Sequence, residues 1–152
     1  MVSLALAIAT VFGVGRVPFA PGTFGSAAGL LIWWVVSGSL PAQVAAIVMV
    51  FIAGVWSGGI AERHYGGTDP GAVVIDEVLG MLITLFLNQV GWTGALAGFL
   101  LFRVFDVIKP YPANRLERLH GGLGIMSDDA MAAVYANMVL RVLVALVPSG
   151  LL

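Results

Sequence analysis

The sequence predicts an all-α fold: a compact membrane helical bundle of about five spanning helices with a short N-terminal helix at the interface. Three observations carry that prediction. The 152 residues are 60% hydrophobic and only 10% charged, with a mean hydropathy of +1.03; soluble domains run at roughly 45–50% apolar and about 25% charged. The apolar runs are long, rich in Ala, Leu and Gly, and lack the period-two alternation of strands. Charged connectors alternate with uncharged ones, as in a multi-pass chain whose positive residues stay on one side.

The elements follow in order. The opening stretch, residues 3–12, is too short to span and is expected in the interface or packed against the bundle. It lacks the positive flank and cleavage pattern of a signal peptide and reads as retained. Five apolar stretches follow, at 24–36, 42–57, 73–87, 93–105 and 130–147. Most are shorter than the ~20 residues of a spanning helix, a difference that polar helix ends or local bilayer thinning can absorb. The connectors 13–23, 58–72 and 107–129 are charged; 37–41, 88–91 and the tail 148–152 carry no charge. This pattern places every charged connector on the cytoplasmic side. Arg141 breaks it, and is expected either to snorkel outward or to pair within the bundle. The alternative fold is a soluble helical bundle with unusually apolar helices. No repeat is visible, and residues 1–152 read as one domain. The net charge of -1 offers nothing to nucleic acid, and the absence of cysteine excludes disulfides, zinc–thiolate sites and thiol nucleophiles.

Carboxylates at a membrane boundary are costly and mark function. Asp76 and Glu77 stand near the start of the third apolar stretch; the alternative is a pair of charges favoured by the helix dipole. Adjacent helical residues point about 100° apart, so the two are not expected to face one small ion squarely. Arg103, Asp106 and Lys109 recur every three residues along one helix face, and Pro110 then ends the helix. That stripe can hold a metal through Asp106 and a phosphate through Arg103 or Lys109, or be a salt-bridge ladder. Asp128 and Asp129 are expected to open the last helix with Ser127 as its cap, alone a weak signal. The Gly/Pro loop 13–26 opens onto a helix for which Thr23 or Ser26 is the expected cap. Its exposed N–H groups and Arg16 suit an anion, although an ordinary capped loop looks the same. His64 and His120 read as loop residues.

Taken together, Ala20-Pro21-Gly22-Thr23 with Gly25-Ser26, Ile75-Asp76-Glu77 with Gly80-Met81, Phe102-Arg103 with Phe105-Asp106 and Lys109-Pro110, and Gly124-Ile125-Met126 with Asp128-Asp129 resemble the phosphatidylglycerophosphatase A family. Tyr111 stands where Trp is expected and Ser127 where an apolar residue is expected; neither change removes a charge. The resemblance implies an all-helical bacterial inner-membrane enzyme facing the cytoplasm. It implies Mg²⁺ as cofactor and phosphatidylglycerophosphate as the phospholipid substrate, hydrolysed at its terminal phosphate. Asp76, Glu77, Asp106, Asp128 and Asp129 are then the candidate metal ligands and catalytic carboxylates. Arg16, Thr23, Ser26, Arg103 and Lys109 are the candidate phosphate-binding groups. Water attack is preferred over a phosphoaspartyl intermediate, and the oligomeric state, a homodimer included, is open. Outside enzymes, the rival reading is a small ion transporter or channel using the acids as a cation pathway.

Overall fold

The computed structural model describes residues 1–67, 69–116 and 118–147. Each of the five apolar stretches is a helix. The order is α1 (Val2–Ala9), a 3-10 turn (Val14–Arg16), α2 (Pro21–Val36), α3 (Leu40–Tyr65), α4 (Ile75–Leu85), α5 (Trp92–Ile108), a single turn α6 (Ala113–Leu116) and α7 (Gly122–Leu146). No strand occurs among the described residues. The uncharged tail and Glu117 of the expected pattern lie outside them. Opening residues 2–9 pack as a helix on α3.

The short α4 is the inner helix. Nearly all its residues are buried, between α2 and α7 on its two broad sides and α3 and α5 on the others. Glycines set how closely its neighbours approach. A Cβ at Gly25 would stand 2.9 Å from the Val74 carbonyl oxygen, and one at Gly29 would stand 2.9 Å from that of Val78. Both obstacles are backbone, so α2 seats directly on α4 only because these positions have no side chain. The core around α4 holds Leu30, Trp33, Met81, Leu85, Phe102 and Leu140.

Two helices, α3 and α7, are long and apolar enough to cross a membrane, and α2 is apolar but shorter. Outward stripes at four-residue spacing expose Leu31 and Val35, Val48 and Ile52, Leu96, Leu100 and Val104, and Met138 and Val142. Exposed apolar stripes of this extent have the chemistry of a surface that meets hydrocarbon.

Arg141 pairs inside the bundle. Its Nε donates to Asn137 Oδ1 at 2.8 Å and its Nη2 to the Phe86 carbonyl at 3.3 Å. Asn137 Nδ2 in turn donates to the carbonyls of Ile83, Thr84 and Phe86 at 3.0, 2.9 and 2.9 Å. Asn137 thus joins the C-cap of α4, where the Ile83 carbonyl also accepts from the Phe86 N–H at 3.2 Å and the Thr84 carbonyl from Asn88 Nδ2 at 3.1 Å. Asn137→Leu is expected to cost about 1–3 kcal/mol, read as a lower thermal unfolding midpoint in detergent.

Candidate active site

The ends of four helices meet at one pole of the bundle: the N-termini of α2, α4 and α7 and the C-terminus of α5. Asp76 and Glu77 lie in the first turn of α4, and Asp76 is buried. Asp128 and Asp129 are not at a helix start. Helix α7 begins at Gly122, capped by Gly121 and not by Ser127, so the two acids sit in its second turn at 2% and 3% exposure. The early start depends on glycine: a Cβ at Gly122 would collide with the Val55 backbone of α3. A dipole or capping role cannot account for acids so placed.

Asp76, Glu77 and Asp129 each contribute a carboxylate oxygen to a cluster whose members all lie within 4.8 Å of one another. Asp76 and Glu77, adjacent on the helix, thus both bring a carboxylate oxygen to one cluster, while Glu77 Oε1 also lies 3.9 Å from Arg103 Nη1. Asp76 Oδ1, Glu77 Oε2 and Asp129 Oδ2 are buried without a hydrogen-bond partner, as is Asp128 Oδ1. Like charges about 4 Å apart repel by roughly 4 kcal/mol at an effective dielectric of about 20. Orphaned buried oxygens of this kind fit a hard divalent cation, which takes oxygen ligands.

Basic groups stand around the cluster. Arg103 Nη1 is 2.9 Å from Asp106 Oδ2 and 3.9 Å from Glu77 Oε1, and donates to Ser26 Oγ at 3.4 Å. Asp106 is close enough to Asp129 to hydrogen-bond with it, so it borders the trio while being held by Arg103. Lys109 ends α5 in a left-handed conformation with φ of 43°, and its Nζ donates to Asp128 Oδ2 at 2.6 Å. The expected stripe is therefore divided, with Arg103 serving Asp106 and Glu77 and Lys109 reaching Asp128 on α7. Asp76, Glu77, Asp106, Asp128 and Asp129 thus gather at this pole with Arg103 and Lys109.

The Gly/Pro loop reaches the cluster without the side-chain cap expected of it. Helix α2 has Ala20 as its N-cap, left-handed at φ of 48°, with Pro21 next and no side-chain cap. Neither Thr23 nor Ser26 caps it: Thr23 is exposed within the first turn. Ser26 is buried one turn on, donating to the Gly22 carbonyl at 2.9 Å. The loop does reach the cluster. A Cβ at Gly22 would overlap Glu77 Oε1 and stand 3.2 Å from both Arg103 Nη atoms, so the uncapped N-terminus of α2 abuts the charged groups. Arg16 is exposed in the turn after α1 and forms no ion pair with the described carboxylates. His64 and His120 are exposed.

Asp69 is a further carboxylate near this pole that the sequence reading did not single out. It is exposed in the loop before α4, left-handed at φ of 50°, and close enough to Asp76 for their charges to act on each other. The available signal was the acid-proline pair Asp69-Pro70, placed where the loop must turn back into α4.

The family model for phosphatidylglycerophosphatase A matches residues 7–144. The chain is 38% identical to phosphatidylglycerophosphatase A of Escherichia coli over 88% of its length and 79% of the relative's. It is 37% identical to phosphatidylglycerophosphatase A of Haemophilus influenzae, over 87% and 83%. It is also 38% identical to a Bacteroides thetaiotaomicron protein provisionally named a phosphatidylinositol-3-phosphatase, over 91% and 92%. No solved structure matches the chain.

Proposed function

The chain belongs to the phosphatidylglycerophosphatase A family, and on that premise we propose that it is a Mg²⁺-dependent lipid phosphatase. It removes the terminal phosphate of phosphatidylglycerophosphate to leave phosphatidylglycerol, at the cytoplasmic face of a bacterial inner membrane. One observation carries the chemical part of the reading: three acidic side chains converge with unpartnered buried oxygens beside Arg103 and Lys109.

Asp76, Glu77 and Asp129 would hold Mg²⁺, with Asp106 and Asp128 at its border. Bound there, the ion supplies charge neutralisation for the phosphoryl oxygens. The remaining work falls to the protein. Arg103, fixed by Asp106 and Ser26, offers guanidinium N–H groups to the phosphoryl oxygens. Lys109 adds a second cation, and the α2 N-terminus adds backbone donors. Glu77 is either a ligand or the base that orients water. The oxygen of that water bonds to phosphorus as the phosphorus–glycerol oxygen bond breaks. Its proton is passed on to the departing alkoxide, so the products are a free hydroxyl and inorganic phosphate.

Helices α2, α3, α4, α5 and α7 cross the membrane in this reading. The shortness of α4 is tolerable because protein, not lipid, surrounds it. The acids gather at one pole, which suits an interfacial enzyme and not a cation pathway. The name of the Bacteroides relative favours a second substrate reading, a phosphoinositide monoester, in which the same groups act on a different headgroup.

The test is phosphate release by purified protein in detergent from phosphatidylglycerophosphate and from phosphatidylinositol 3-phosphate. Mg²⁺-dependent release from the first, abolished by EDTA, is expected. Release from the second alone would overturn the substrate, and release from neither by folded protein would overturn the phosphatase reading.

A further inference from the structure

Helix α2 seats on α4 but barely touches α3, and an open trough of about 650 Å³ remains between α1, α2, α3 and α4. Its walls include Phe12, Ile32, Met49, Ala53, Ile75 and Val78, and every lining side chain is apolar. Two features tie it to the candidate active site. Ile75 and Val78 flank Asp76 and Glu77 in sequence on the first turn of α4, so the trough starts within one helical turn of the carboxylates. Phe12, 85% exposed, is also a wall of a smaller adjoining cavity shared with Thr10, Gly13 and Arg16, which puts beside the trough a cation that pairs with no carboxylate among the described residues.

The depth is informative. Ile32 lies ten residues along α2 from Gly22, which abuts Glu77 and Arg103. At helical rise that is roughly 15 Å, about half of a ~30 Å hydrocarbon core. The trough therefore runs from the charged pole to the depth that one leaflet's acyl chains occupy.

We propose that this trough holds one acyl chain of the glycerophospholipid substrate, with Arg16 in the adjoining cavity meeting the lipid's phosphodiester while the monoester lies at the carboxylate cluster. The proposal rests on the lipid-phosphatase reading. It gives Arg16 a role apart from Arg103 and Lys109: it reads the second anionic group of the same molecule. It also explains an uncharged trough with a cation in the adjoining cavity, a match for an amphiphile with an apolar chain and an anionic head.

The test is photo-cross-linking of the full chain in phosphatidylcholine nanodiscs. The probe is diacyl phosphatidylglycerophosphate with a diazirine in one acyl chain, and the labelled residues are mapped by peptide mass spectrometry. Labels should concentrate on Ile32, Met49 and Ala53, and be displaced by the unlabelled lipid but not by added phosphatidylcholine. Labels spread over Leu100, Val104 and Val142, or an identical map from diazirine phosphatidylcholine, would overturn the proposal. Ala53→Trp should fill the trough, erase those labels and raise KM for the diacyl substrate about tenfold, with hydrolysis of the deacylated phosphate monoester unchanged. Equal loss on both substrates would contradict it. Arg16→Gln should weaken displacement by the unlabelled lipid without moving the labels; unchanged displacement would remove Arg16 from the proposal. The wild-type map needs no variant, so misfolding of Ala53→Trp leaves the test standing. Cross-linking also needs no turnover: trough labelling without phosphate release would support the acyl site and refute the phosphatase reading.

Discussion

Asp129→Asn is expected to reduce phosphate release by about 10²–10³-fold or more, the loss seen when one preorganised electrostatic group is removed from an active site. The substitution keeps the size of the side chain, and Asp129 is buried at 3% exposure, so packing is retained. It removes one of the three converging carboxylates, and with it a charge that a divalent ion needs. The stability effect should run the other way. Without metal, Asp129 repels Asp76 and Glu77 across less than 5 Å, so the variant in EDTA should unfold at the same or a higher temperature than the wild type. Wild-type protein should gain stability from Mg²⁺ that the variant lacks, because a ligand that binds only the folded state raises its stability. Stability exchanged for function is expected where like charges are held together for a purpose. A variant that is both inactive and strongly destabilised would point to a structural role for Asp129.

Arg103→Ala is expected to lower kcat by about 10²–10³-fold, through a different route. Arg103 contacts Asp106, Glu77 and Ser26 together, so its loss removes the proposed phosphate-binding guanidinium and releases two carboxylates. Breaking a partly buried pair by deleting one partner is destabilising, because the remaining charge is left uncompensated. The thermal midpoint should therefore fall, in contrast to Asp129→Asn. Arg103→Lys should recover part of the stability but little of the rate: an ammonium restores the charge without the planar fork that grips two oxygens at once. Full rescue by Lys would reduce Arg103 to a point charge.

Much of this architecture was legible in the sequence. The long apolar runs marked five helices because hydrophobic burial dominates their placement, and the gathering of acids near the ends of those runs marked the groups that meet at the charged pole. The helix limits were less legible. The Gly58-Gly59 pair reads as a helix end, yet α3 continues to Tyr65 because these glycines lie against α7 at Gly122. The last helix is expected to open at Asp128-Asp129 behind Ser127, yet α7 starts at Gly122, where a backbone crossing needs glycine. Both errors share a cause: close helix contact selects the residue that local propensity assigns to loops. The same shift moved Asp128 and Asp129 from the helix start into its second turn and made them buried acids. The convergence of Asp76 with Glu77 depends on side-chain reach, which a backbone angle alone does not express. The neighbourhood of Asp69 depends on how a loop folds back, and no periodicity reports that.

The central claim is that Asp76, Glu77 and Asp129 form a divalent-metal centre. Its most direct test is anomalous diffraction from crystals soaked in Mn²⁺, a stand-in for Mg²⁺ with a usable signal. A peak coordinated by these three carboxylates, absent from Asp129→Asn crystals, is the expected result. Active wild-type protein whose only Mn²⁺ peaks lie away from these residues would contradict the account.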